Sequence, residues 1–237
     1  LIVQPDGKIL VGGEFMTRLD PIQYNVARLN ADGTLDETFN AGDAAGPLRG
    51  WFDEPKVRAL ALQPDGRVVV GTEAEGNLNG RYAFLRLLPD GARDPSFNAA
   101  VNQDHVAPYG MVPLADGTIL INGSFAIVNG IWQPSLARLH PDGRMDTNFA
   151  PQVESDYGYF HAVRHTLVQP DGRILIAGSF TNIGGANVSA LARLHADGTL
   201  DTRLTTQIEH GEITALALQP DGRVLIGGSF ESIAGLP

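Results

Sequence analysis

The dipeptide Asp-Gly returns along this chain inside two longer words, and that internal repetition constrains the fold more than any local propensity does. The first word is Gln-Pro-Asp-Gly, at Gln4 to Gly7, Gln63 to Gly66, Gln169 to Gly172 and Gln219 to Gly222, with the variant Leu-Ala-Asp-Gly at Leu114 to Gly117. The second is Arg-Leu-x-x-Asp-Gly, at Arg28 to Gly33, Arg86 to Gly91, Arg138 to Gly143 and Arg193 to Gly198. Successive first glycines lie 59, 51, 55 and 50 residues apart, whereas first and second glycine of one unit are separated by 26, 25, 26 and 26. Length changes only between the second glycine and the next unit, where the gap runs 33, 26, 29 and 24. Variable length marks surface loops.

A period of this size makes the 237 residues one array in which neighbouring units bury each other's apolar faces. The units fall at 1–55 (partial), 56–107, 108–161, 162–211 and 212–237 (partial). Leu1-Ile2-Val3-Gln4 matches the end of the run Val57 to Gln63, so the chain is expected to be a fragment of a longer one. Apolar runs such as Val68 to Val70 are far too short to cross a bilayer, so no membrane insertion is expected. A net charge of -10, from 17 basic and 27 acidic residues, opposes a nucleic-acid partner, whose phosphates need Lys and Arg. With no cysteine, the redox compartment stays open.

Each unit begins with an apolar run, Val57 to Leu62 or Ile213 to Leu218, that suits a strand buried on both faces. The x-Pro-Asp-Gly-x turn follows: Pro presets the second position, Asp caps and Gly takes positive φ. A second strand follows at Val68 to Gly71, Ile119 to Asn122, Ile174 to Ala177 and Val224 to Gly227, and a third at Leu136 to Leu139 and Leu191 to Leu194. Thr34 to Phe39 reads as a short fourth. The pattern predicts an all-β, β-propeller-like array of four-stranded antiparallel blades, about four and a half repeats long. A parallel β-helix would not need two reversing turns per unit, and a sandwich would not repeat its words.

Gly-Gly-x-Phe at Gly12 to Phe15, the related Gly228-Ser229-Phe230, Val128-Asn129-Gly130, and Ala-Arg-Leu-Asn/His-x-Asp-Gly-x-Leu-Asp-x-x-Phe together resemble the delta-60 repeat family of bacterial proteins. The resemblance covers essentially the whole chain. It implies a propeller-like array in secreted or cell-surface proteins and brings no catalytic residues. The second unit departs with Ala74 in place of Phe, and the fourth ends in Leu204.

Arg28, Arg86, Arg138 and Arg193 recur in the third strand, and Asp36, Asp94, Asp146 and Asp201 beyond its turn. Folding the hairpin over Asp-Gly sets the two columns side by side as structural Arg–carboxylate pairs, with Phe39, Phe97 and Phe149 aimed between blades. Asn30 to Asp36 invites calcium, but the first oxygen ligand becomes Leu88, His140 and His195 in the other copies. No cofactor or metal is therefore expected. His161 and His165 share a strand face, yet no third ligand accompanies them.

Asp-Gly turns of both kinds should share one face, leaving the second-to-third-strand loops and the inter-unit loops on the other. There the chain carries Trp51, Phe52, Asp53, Glu54, Asp156, Tyr157 and Tyr159, with Tyr24, Tyr82 and Trp132 in the intra-unit loops. Aromatic faces beside carboxylates suit sugar rings or a protein surface. The reading is a non-enzymatic interaction module for a glycan or protein. The alternative is a structural subunit that self-associates through open blade edges. Arg58, Tyr109, Arg164, His165 and Thr214 are expected to line the channel, the one place a hydrolase or lyase could operate.

Overall fold

The computed structural model describes residues 1–17, 22–42, 56–73, 84–101, 107–156, 163–204 and 208–233. The first unit holds β1 (Ile2–Val3), β2 (Ile9–Met16) and β3 (Tyr24–Leu29), and the second holds β4 (Lys56–Leu62), β5 (Val68–Glu73) and β6 (Phe84–Leu87). In the third, β7 (Ala107–Pro113) and β8 (Ile119–Ser124) precede a small hairpin, β9 (Ile127–Val128) and β10 (Ile131–Trp132), and then β11 (Leu136–Leu139). After β12 (Val153–Glu154), the fourth repeats this with β13 (His165–Val168), β14 (Ile174–Ala177), β15 (Asn182–Ile183), β16 (Ala186–Asn187) and β17 (Leu191–Leu194). The fifth is the hairpin of β18 (Ile208–Leu218) and β19 (Val224–Ile233). Every strand pairing among the described residues is antiparallel, and the second strand is central in each three-stranded main sheet.

The fourth strand is a correction. It shrinks to one isolated bridge per unit, Leu29 to Leu35, Leu87 to Arg93, Leu139 to Met145 and Leu194 to Leu200. The cause is the next residue, since the Asp36 carboxylate accepts from the amide and hydroxyl of Thr38 at 3.0 and 2.6 Å and turns the backbone off the ladder. Asp94 does the same with Ser96.

The core lies between units rather than within them. On β5, Val68 and Val70 pack toward Leu10, Val26 and Phe39 of the first unit, while Val69 packs toward Met111, Ile119 and Ile121 of the third. On β8, Ile119 and Ile121 face back and Leu120 faces forward onto Val163, Ile174 and Ile176. A strand buried on both faces needs apolar residues at consecutive positions, so these runs do not alternate.

One polar contact repeats across the same boundaries. Arg28 Nε donates to Asp36 Oδ2 at 2.6 Å, and its Nη1 donates to the Pro89 carbonyl in the next unit's turn at 2.8 Å. Arg86 binds Asp94 at 2.8 Å and donates to the Pro141 carbonyl, and Arg138 binds Asp146 at 2.8 Å and the Ala196 carbonyl at 2.6 Å. Each guanidinium also lies over its own phenylalanine, at 4.8 Å from Phe39, 5.0 Å from Phe97 and 4.9 Å from Phe149. Arg193 pairs with Asp201 at 3.0 Å, but Leu204 stands where the ring would be.

All nine Asp-Gly glycines hold φ between 80 and 91°. Their surroundings differ. A Cβ on Gly91 would lie 2.6 Å from the Asn40 carbonyl carbon of the preceding unit, whereas nothing lies within 4 Å of one on Gly33. Gly33→Ala should therefore cost about 1–2 kcal/mol, the left-handed backbone penalty alone. Gly91→Ala should cost roughly 1–3 kcal/mol more through overpacking. Paired urea unfolding curves check this, and equal losses would show that the turns do not carry the inter-unit contact.

The aspartates make stability pH-dependent. Burial pushes Asp201 up, but the Arg203 amide and the Arg203 and Arg193 guanidinium groups outweigh it and hold the carboxyl at about 2. Burial likewise pushes Asp36 up, but hydrogen bonds from Lys8, Thr38 and Arg28 overcome it and hold the carboxyl well below the ordinary range. Carboxyls more acidic folded than unfolded bind protons on unfolding, so their contribution is complete above the unfolded value near pH 4 and fades as pH falls toward 2. The melting temperature should drop steeply across that window, and Asp201→Asn should start lower at pH 7 but fall less steeply. Calorimetry from pH 7 to 2 measures both slopes.

Candidate binding site at the axial mouth

The first strands of the second, third and fifth units share a β-bulge in the same column. Pairing jumps from Val57–Thr72 to Ala59–Gly71, from Pro108–Gly123 to Gly110–Asn122 and from Ile213–Gly228 to Ala215–Gly227. Arg58, Tyr109 and Thr214 are the extra residues. Arg164 occupies this column in the fourth unit, with its amide on the Ala177 carbonyl at 2.8 Å. A bulged residue leaves the ladder and its side chain is re-aimed. The local sequence favours the bulge, because a Cβ on Gly123 would overlap the Ala107 carbonyl.

These four side chains meet around one cavity of about 610 Å³, lined also by Glu73, Ala107, Pro108, His165 and Glu212. It lies at the end of the first strands away from their Asp-Gly turns, as a mouth assembled from four consecutive units. Arg58 pairs with Glu73 inside the second unit, and Arg164 reaches Glu212 of the next unit at 2.5 Å. Asn122 fixes the Arg164 backbone by donating to its carbonyl at 2.9 Å. Tyr109, 37% exposed, hydrogen-bonds Ser124. Burial pushes its phenol up, with Arg164 and the Ser124 bond opposing and Glu73 adding to the rise. Burial pushes His165 down and Arg164 adds to that, while Glu212 opposes. Tyrosine and histidine are thus held neutral between two ion pairs.

The five residues assigned to the channel from sequence, Arg58, Tyr109, Arg164, His165 and Thr214, all line this cavity. Glu73 and Glu212 were missed. Glu73 shares a column with Glu14, Ser124, Ser179 and Ser229 after the second strand, a recurring polar position that was the available signal. Trp51, Phe52, Asp53, Glu54, Tyr82, Tyr157, Tyr159 and His161 lie outside the described residues. Trp132 sits on β10, 55% exposed, and does not line the mouth. Asp156 lines a separate polar hollow of about 570 Å³ with Glu154, Ser155, Thr181, Asn182 and Asn187.

The expected separation of faces needs correction in the third unit. The tip of its β9–β10 hairpin folds back, and the Asn129 side-chain amide donates to the carbonyls of Asn98 at 3.2 Å and of Gly143, in an Asp-Gly turn, at 3.3 Å. The cause is the preceding inter-unit segment, which pairs with the hairpin through Val101 and Val128 and draws it along the blade edge. In the fourth unit β12 stitches to β15 in the same way. At the turns, Asp32 spends its carboxylate on the amide and hydroxyl of Thr34, at 2.9 and 2.7 Å. Among the described residues no three acidic or histidine side chains converge to hold a metal.

The profile of the family described as domain of unknown function (DUF5122) beta-propeller matches residues 4–39, 63–97, 114–149, 169–203 and 219–237. The chain belongs to this family. Each matched DUF5122 segment starts at the first Asp-Gly word, and in the first four the third-strand arginine and its aspartate fall inside. Of the mouth residues only Glu73 does; Arg58, Tyr109, Arg164, His165, Glu212 and Thr214 lie between segments. No curated protein matches the chain. Among solved structures, the extracellular domain of a one-component system from B. thetaiotaomicron is similar in fold, with a TM-score of 0.51, 14% identity, and coverage of 92% of this chain and 25% of that one. A domain described as that of a hybrid two-component system from B. thetaiotaomicron gives 0.44, 10%, 93% and 29% in the same order. A protein of unknown function from Bacteroides caccae gives 0.40, 14%, 84% and 68%. The chain spans about a quarter of the first of these.

Glu212 contributes the one attraction that holds the His165 proton. Glu212→Gln should therefore move His165 to a still lower titration midpoint, followed by its ring proton shifts in NMR. An unchanged or higher midpoint would place Glu212 away from the imidazole.

Proposed function

We propose that this DUF5122 array is a non-enzymatic binding module, extracellular or at the cell surface, that holds a glycan or a protein segment at its axial mouth. The supporting observation is the division of labour in the sequence. Shared family segments carry the turns and the Arg–Asp packing, while the mouth is built almost wholly from residues between them. A pocket of 300–1,000 Å³ with a few convergent polar groups is the usual form of a ligand site. The placement outside the cell extends to this chain the location of the B. thetaiotaomicron domain that shares its fold. Both described carboxylates at the mouth are engaged by guanidinium groups, an arrangement suited to hydrogen bonding more than to exchanging protons.

Glycan and peptide arrays test this reading. Ligand captured by the wild-type chain should weaken about tenfold or more with Tyr109→Ala or Arg164→Ala, the loss expected at a binding hot spot, and persist with Trp132→Ala. Binding lost only with Trp132→Ala would move the site to the outer hairpin. Concentration-dependent oligomers with no ligand captured would overturn it.

A further inference from the structure

We infer that the mouth recognises an uncharged saccharide, reading neighbouring hydroxyl groups through its two ion pairs with Tyr109 as the platform for a sugar ring. The inference rests on the binding reading above and specifies its ligand class. Three features of the cavity carry it.

The first is charge. The two guanidinium groups at the mouth are matched by two carboxylates, Arg58 by Glu73 and Arg164 by Glu212. A carboxylate or phosphate ligand would have to draw a guanidinium from its partner and leave a glutamate unpaired in a half-buried hollow, which is unfavourable. A cationic ligand faces the mirror-image obstacle. An uncharged ligand leaves both pairs in place.

The second is the sense of the hydrogen bonds. A guanidinium only donates and a carboxylate only accepts, so each pair offers both senses at adjacent points. A sugar hydroxyl is donor and acceptor at once. Two neighbouring hydroxyls can therefore give one proton to Glu73 while accepting from Arg58, and the same holds at Glu212 and Arg164. Thr214 offers a hydroxyl of its own, near the Gly227 carbonyl at 3.4 Å.

The third is the wall between the pairs. In chain order Tyr109 stands between Arg58 and Arg164, and it feels both Arg164 and Glu73 electrostatically. With Ala107 and Pro108 beside it, the partly exposed ring supplies an apolar surface. A pyranose has an apolar face of C–H groups and a polar rim of hydroxyls, and an amphipathic aromatic suits such a ligand. An amino-acid or peptide terminus has the charges but no such face.

Isothermal titration of the chain against three panels tests the inference: neutral oligosaccharides (gluco-, manno-, galacto- and xylo-series), acidic ones (oligogalacturonates, sialyllactose) and free amino acids with dipeptides. At least one neutral oligosaccharide should bind, at micromolar to millimolar Kd. Its Kd should change less than about twofold between 50 and 500 mM NaCl, because no net charge is neutralised. It should weaken about tenfold, or 1.4 kcal/mol, with Tyr109→Ala and with Glu73→Gln, while Tyr109→Phe, which keeps the ring, should retain most of the affinity. Melting temperatures of the variants confirm that each is folded. Tighter binding of an acidic or zwitterionic panel member, lost with Tyr109→Ala and steeply salt-dependent, would overturn the ligand class and leave the mouth as the site. Binding of any member that ignores all the mouth variants would overturn both. Silence of the neutral panel overturns the inference.

Discussion

A single guanidinium group holds each of the first three boundaries of this array in register. Arg28, Arg86 and Arg138 each grip an aspartate of their own unit, lie over a phenylalanine of their own unit, and donate to a turn carbonyl of the next. Hydrophobic burial between the sheets is larger in area but non-directional, and would tolerate sliding. The arginine contact is directional and anchored at both ends, so it fixes which residue of one unit faces which residue of the next. The backbone bonds from Asn40 to Asp90 and from Asn98 to Asp142 then form beside it, at 2.7 and 2.8 Å. At these boundaries the turn glycines lie where a side chain would strike the preceding unit. The spacing of the two glycines within a unit varies by no more than one residue because the second turn is part of this joint.

Fixing one end of every unit frees the other. The changes in length fall between the units, outside the segment that carries the arginine joint. The residues at the mouth then differ from unit to unit in one column, Arg at 58, Tyr at 109, Arg at 164 and Thr at 214, with a bulge at the first, second and fourth of these. Glu73 apart, these mouth residues stand outside the family segments for the same reason: the shared pattern describes how units join, and the joint does not depend on which side chains line the mouth.

What could be read from the sequence alone follows from this separation. Arg28 and Asp36, with their counterparts, were legible because the copies within one chain compare themselves, and a hairpin of fixed length converts that recurrence into proximity. That Arg58, Tyr109, Arg164, His165 and Thr214 lie in one column region was legible because a strand start is found by counting back from the turn. Glu73 and Glu212 were not, since their approach to Arg58 and Arg164 depends on a bulge and on the offset between units, neither of which leaves a repeated word. The fourth strand was overcalled because Asp36 was read as a strand residue with a partner. Its second oxygen also captures the Thr38 amide, and a backbone bonded to a side chain leaves the ladder. The fold-back of Asn129 was missed for a similar reason, as an amide side chain donating to carbonyls in two separate segments has no one-dimensional signature.

The residue three before the third-strand arginine adopts a left-handed backbone in three units, at Asn25, Ser135 and Ala190, with φ of 64, 63 and 63°. Asparagine tolerates this conformation readily, and alanine has no side-chain polar group to ease it. Each of these three units therefore carries a wound spring where the chain enters its third strand, and the tension is unequal along the array. The fourth unit, with alanine there and leucine in place of the ring at its arginine, has the stiffest spring and the weakest latch. Mechanical or thermal opening of the array would begin at that seam and travel outward, leaving the first three units clasped.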